Sequence, residues 1–432
     1  MGTMIARTRD ERAGAEDVRR REATEASPGA SPAMRGDRFE GLEGYRGIAA
    51  LLVVVFHAYQ YSREGTGTAR YVYEGTPLHT LFSNLDATVA WFFVLSGFII
   101  FLPFARAAID RGRAQTARGF LIRRAIRIVP LYYVAILLVW TWRYIGTRSN
   151  WLDLLEHLSF TQIFDRERIF YTIGPAWSLS VEVIFYLFVA AFGPLTHLAC
   201  TRLAGRGART ALLLGATAPL VAASLLYKWW AFFVAHIPET DYPVYFGPLA
   251  KLDTFALGML LAIAVVALSN RPAPSGVFLL GMRLVGAAVI AAAFVFRLSS
   301  DPISVYFHTL SGTAFFLVLA STTLGAPRSR WNRALGHPVF GYLGLTSYSL
   351  YLWHEPILIE LGKRHLLIRE APAVFPANAL ILCLLSLAAA SIIYYAVEQP
   401  ALNLRHLFTR EGRLAEYYPA VRRRELDVRP PT

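Results

Sequence analysis

Apolar stretches of about twenty residues recur from residue 42 to residue 398, and this recurrence limits what the chain can fold into more than any other feature. Each stretch is long enough to cross a hydrocarbon core of ~30 Å as a helix, and a helix satisfies its own backbone hydrogen bonds where lipid cannot. Spans are expected near 42–61, 87–105, 128–145, 173–198, 211–227, 251–269, 277–296, 305–324, 338–360 and 376–398. The expected fold is therefore all-α, a polytopic integral membrane protein of about ten transmembrane helices. Of 432 residues, 55% are hydrophobic and only 17% charged, which fits a bilayer rather than a large soluble enzyme.

Charge sets the orientation. Most of the 43 Lys and Arg residues fall in segments on the cytoplasmic side if the N-terminus is inside, and arginine and lysine near spans are retained on that side. Both termini are read as cytoplasmic, and the location as the cytoplasmic (inner) membrane with multiple passes. Topology then accounts for the net charge of +13; nucleic acid is not an expected partner, because no soluble basic domain exists to bind it. Residues 1–38 are Arg-, Ala-, Gly- and Pro-rich and read as a disordered cytosolic arm rather than a signal peptide. Residues 406–432 read as a basic cytosolic tail. Cys200 and Cys383 form neither a disulfide framework nor a metal cluster, and no metal signature is present.

Several spans carry polar residues that hydrocarbon penalises. Arg46 and His57 in "YRGIAALLVVVFHAYQY" lie eleven positions apart, which places them on nearly one helix face and roughly 16 Å apart along the axis. The alternative to a functional pair is an arginine reaching the headgroups and a histidine bonded to a neighbouring helix. Ser96 and Gly97 interrupt "AWFFVLSGFII" and are also what close helix packing requires. Arg124 and Arg127 share a face at the cytoplasmic mouth of the third span, with Arg123 beside them and Pro130 following. Paired guanidinium forks suit phosphate, although positive-inside anchoring also explains their charge. "GPAWSLSVEVIFYLF" adds Trp177, Ser178, Ser180 and Glu182; a carboxylate there has to pair, stay protonated or face a polar cavity. Lys251 and Asp253 are read as an ion pair at a span entrance. Tyr348, Tyr351, His354 and Glu355 lie in the ninth span ahead of Pro356, and Glu398 stands where the last span ends.

In order, "EGYRGIAALLVVVFH", "FFVLSGF", "RRAIRIVPLYY", "WSLSVEVIFYL", "SYSLYLWHEPI" and "EQP" make the chain from about residue 39 to 405 resemble the membrane acyltransferase-3 family, bacterial O-acyltransferases that modify sugars and some natural products. The resemblance implies that Arg46 and His57 are essential and that Arg124 and Arg127 lie on the acyl-CoA side. Ser96, Gly97 and the Trp177–Glu182 segment match further functional motifs. Val183 departs from relatives that carry a second acidic residue after Glu182, so no carboxylate pair is assigned. Relatives with an added extracytoplasmic hydrolase-like domain have no counterpart to it in the expected organisation.

Acyl transfer to an alcohol requires a base for the hydroxyl proton, and histidine is the commonest such group. The expected catalytic set is His57, Arg46 and Glu182, with Glu182 orienting the imidazole and Arg46 polarising the donor. The donor, acyl-CoA and most simply acetyl-CoA, is expected at Arg123, Arg124, Arg127, Ser96 and Gly97. The acceptor is expected at Trp177, Ser178, Ser180, Tyr348 and His354, and is a hydroxyl of a sugar, glycolipid or glycosylated natural product. Direct transfer and a transiently acylated histidine both satisfy this chemistry. A secondary transporter of a small polar or acylated solute is the alternative from another class, since it too needs many spans and buried ionisable groups. The sequence shows no internal repeat or paired broken helices of that kind.

Overall fold

The computed structural model describes residues 41–65, 71–145, 150–298, 302–327, 329–368 and 374–403. The expected arm at 1–38, the tail at 406–432 and the placement of both termini lie outside the described residues. Ten long helices account for most of the rest: α1 Gly41–Gly65, α2 Ala87–Ile109, α3 Ala117–Tyr144, α4 Trp177–Thr201, α5 Arg206–Trp229, α6 Pro248–Ala267, α7 Gly276–Leu298, α8 Phe307–Thr323, α9 Pro338–Lys363 and α10 Val374–Ile393. The described residues contain no strand.

Nine of the expected spans coincide with helices long and apolar enough to cross a membrane. The tenth, 338–360, is α9. Its 26 residues extend about 39 Å, but it falls outside that apolar set because it carries Thr346, Ser347, Ser349 and His354, each at most 1% exposed. A helix buried among other helices can hold polar groups that a lipid-facing helix cannot. The third span begins at Ala117, well before the expected 128, because the Arg-rich stretch continues the helix. Thr116 caps it by accepting the Gly119 N–H at 3.2 Å.

Helices α2 and α6 are the most deeply buried, and α5, α7 and α10 the most peripheral. The peripheral helices present Leu226, Phe278, Leu284, Leu380 and Ile392 outward, as lipid contact requires. Where helices cannot gain by burying apolar surface against equally apolar lipid, close packing through small residues joins them. Helices α2 and α6 meet in this way: a Cβ added at Gly97 would collide with the Phe255 carbonyl oxygen, and one at Gly258 with that of Val94. Helices α1 and α9 meet at Gly47 and Gly344, where a Cβ on Gly47 would lie 2.7 Å from the Gly344 nitrogen.

Candidate active site

The α1–α9 contact determines what His57 meets. The two helices run in the same direction, since Gly47 lies against Gly344 and, further along both, Tyr61 lies against Gly362. Ten residues beyond Gly47 stands His57, and ten beyond Gly344 stands His354. Equal spacing on parallel, closely packed helices brings the two rings together. His57 Nδ1 and His354 Nε2 are 3.2 Å apart, with ring centroids at 4.9 Å and planes tilted by 56°. Each ring also turns its Nδ1 to a carbonyl one turn back, His57 to Val53 at 3.0 Å and His354 to Leu350 at 3.1 Å. His354 is fully buried, whereas His57 retains some accessible surface.

Glu182 does not take the orienting place expected for it. Its Oε1 accepts the Ser96 hydroxyl at 2.5 Å, so α4 and α2 are joined there, and the side chain bonded to His57 is that of His354. The Ser178 and Tyr351 hydroxyls share a hydrogen bond of 2.8 Å in which one donates to the other, and the one that keeps its hydrogen donates to the Pro175 carbonyl, which lies 3.0 Å from Ser178 and 3.2 Å from Tyr351. Tyr351 also stands one turn from His354, ring to ring at 6.0 Å. Ser180 is fully buried beside Tyr132. Trp177 belongs to an aromatic wall, 4.4 Å from Phe246 and 6.0 Å from Phe93.

Of the three arginines at the start of α3, Arg124 and Arg127 turn inward. Arg124 lies over the rings of Phe120 at 5.7 Å and Tyr186 at 5.9 Å, and its Nε is buried without a hydrogen-bond partner. Arg127 is within electrostatic range of Tyr186 and Glu398. Arg123 instead donates to Gln115 Oε1 at 2.6 Å. Tyr348 joins α9 to this turn of α3 by donating to the Ile128 carbonyl at 2.9 Å. Arg46 pairs with Glu43 at 3.2 Å and also lies within electrostatic range of Glu398.

These side chains form one polar line through the bundle: Arg124 and Arg127, Tyr186, Glu182 with Ser96, Tyr351 with Ser178, then His354 with His57.

Three side chains near the line had no role assigned from sequence. Glu398, 2% exposed, accepts from Ser349 at 2.9 Å within a π-helical turn, Tyr394–Glu398. Glu355 accepts the Gly174 N–H at 2.5 Å, and Tyr186 links the arginines to Glu182. The expected Lys251–Asp253 ion pair is not formed. Asp253 pairs with Lys228 at 2.7 Å, and Lys251 lies 3.0 Å from His308 Nδ1, its ammonium over the Tyr245 ring at 4.6 Å. Two residues apart on α6, Lys251 and Asp253 point about 200° apart around the axis and meet different side chains, His308 for Lys251 and Lys228 with Thr309 for Asp253.

The Acyltransferase domain model of the acyltransferase-3 family matches residues 39–395, so the chain belongs to this family. It is a multi-pass membrane protein. Exopolysaccharide production protein ExoZ of Rhizobium meliloti (strain 1021) is 29% identical over 324 residues, 73% of this chain and 89% of that protein. The provisionally named membrane-bound transacylase BcsY of Komagataeibacter xylinus is 26% identical over 339 residues, 75% of this chain and 74% of BcsY. A Staphylococcus aureus (strain COL) protein provisionally named O-acetyltransferase SACOL0978 is 22% identical over 340 residues, 74% of this chain and 50% of that one. This chain thus spans about half the length of the Staphylococcus aureus relatives it matches. No solved structure matches it.

Proposed function

We propose that this chain is an O-acyltransferase of the cytoplasmic membrane that moves an acetyl or other short acyl group from cytosolic acyl-CoA to a hydroxyl of a carbohydrate, glycolipid or glycosylated natural product. The observation that carries the reading is the polar line joining Arg124 and Arg127 to His57. The guanidinium pair holds donor phosphates in fork geometry, and the pantetheine arm extends along the line past Ser96 and Glu182. At its far end the acceptor hydroxyl gives its proton to His57 as its oxygen attacks the thioester carbonyl. The C–S bond breaks, and the departing thiolate takes the proton from the imidazolium. Ser178, Ser180, Trp177, Tyr348 and Tyr351 flank the acceptor, and Arg46 stabilises the donor from the cytosolic end. The name of ExoZ, exopolysaccharide production, and the transacylase name of BcsY favour acyl transfer to a carbohydrate.

The test is acyl transfer and acyl-CoA binding by the full chain in nanodiscs. His57→Ala should lower transfer by about 10²–10⁴ while donor affinity holds, and the double change Arg124→Ala/Arg127→Ala should weaken donor binding several-fold without unfolding the protein. A folded His57→Ala protein that transfers at the wild-type rate would overturn the proposal.

A further inference from the structure

We infer that His354 is a positioning residue that fixes the ring of His57 and stabilises its charged form, leaving His57 Nε2 as the reacting atom; this rests on the reading of His57 as the reacting group. The argument follows from which atoms can donate. A carbonyl oxygen only accepts, so His354 Nδ1, 3.1 Å from the Leu350 carbonyl, carries a hydrogen. In the neutral ring His354 Nε2 then holds a lone pair, and that lone pair faces His57 Nδ1 at 3.2 Å. His57 Nδ1 also faces the Val53 carbonyl at 3.0 Å, so it carries the hydrogen shared between these two acceptors. The remaining nitrogen of His57, Nε2, is therefore unprotonated. It is the atom able to take the acceptor's proton or, on the alternative covalent route, to attack the thioester carbon.

His354 does for His57 what a carboxylate does for the imidazole of a catalytic triad, but without a charge. When His57 gains a proton at Nε2, its Nδ1–H becomes a cationic donor, and hydrogen bonds to charged groups are stronger than neutral ones. An ionised carboxylate at the fully buried position of His354 would carry a large desolvation cost within the bundle. A neutral imidazole held by its own helix supplies the lone pair at far less cost. Its orientation is secured from both sides, by Leu350 below and by the α1–α9 glycine contact, which sets the distance between the helices.

The experiment compares His354→Leu, His354→Phe and His354→Gln with His57→Ala and the His57→Ala/His354→Leu double variant. All are the full chain in nanodiscs, with folded fraction checked by size-exclusion and thermal unfolding. His354→Leu should lower kcat by about ten- to a hundredfold, the value of one hydrogen bond to a charged group, with KM for acyl-CoA nearly unchanged. His354→Phe keeps a planar ring without a lone pair and should behave like His354→Leu, which covers the case in which leucine does not fold. His354→Gln, whose Oε1 can accept the same hydrogen, should recover most of the rate. Adding His354→Leu to His57→Ala should cost nothing further. A glutamine variant as slow as the leucine or phenylalanine variant, or a raised KM with kcat preserved, would overturn the positioning role. Inactive His57→Ala with full-speed His354→Leu or His354→Phe would overturn that role alone, whereas full-speed His57→Ala would overturn the reading of His57 itself.

Discussion

Separating Lys228 from Asp253 should strongly destabilise the bundle. Lys228 and Asp253 are 2% and 0% exposed and 2.7 Å apart, and the Thr309 hydroxyl bonds to both, at 2.6 Å to the ammonium and 2.5 Å to the carboxylate. At an effective dielectric constant of about 20, unit charges at this separation attract by about 6 kcal/mol. Desolvation of the two ions offsets much of that attraction, so the intact pair adds little net stability. Losing one partner leaves the other buried and uncompensated, at a cost of about 3–5 kcal/mol. Thermal unfolding in nanodiscs should therefore show Lys228→Met and Asp253→Leu each strongly destabilised, and the double variant close to wild type. Such a cycle isolates the coupling between the two side chains. Single variants within about 0.5 kcal/mol of wild type, or a double variant that loses the sum of the singles, would refute the reasoning.

Gly97→Ala should loosen the α2–α6 contact and cost about 1–3 kcal/mol, because the new methyl would meet the backbone of Phe255, which cannot rotate away as a side chain could. Gly112→Ala, whose nearest neighbour would be the Ala107 Cα at 3.5 Å, is the control; equal melting of the two variants would refute the packing role. For orientation, with Cys200 and Cys383 changed to Ser, an impermeant maleimide on intact cells should label Glu74→Cys and not Arg113→Cys, both exposed positions in connections between helices. Labelling of Arg113→Cys alone would reverse every cytoplasmic assignment.

The polar residues that line the candidate site were largely legible in the sequence, because hydrocarbon penalises each one separately and so marks it against an apolar background. Their partners were not. Glu182 read as an orienter of His57, yet it meets Ser96, because α4 approaches α2 rather than α1 at that level. Lys251 and Asp253 read as a pair from sequence proximity, but a two-residue step on a helix separates side chains instead of joining them. Arg123 read with Arg124 and Arg127, and it stands only one turn from Arg127, but its guanidinium reaches back to Gln115. One signal for the histidine pair was present in the sequence: Gly47 precedes His57 by the same ten residues that separate Gly344 from His354.

What the sequence by itself determined is the solvent and the repertoire: a chain of long apolar helices, and within them the few ionisable and hydroxylic groups available for chemistry. Length, hydropathy and charge asymmetry are local properties, each decided by residues close together along the chain. Only the tertiary structure decided which groups share a hydrogen bond, because a helix face acquires its neighbours from packing. Here that packing depends on glycines that let α1 and α9 run in parallel at close range. His57 faces His354 because of a contact roughly 15 Å away along the helices, and such a relation is set by how helices pack rather than by the residues next to either histidine.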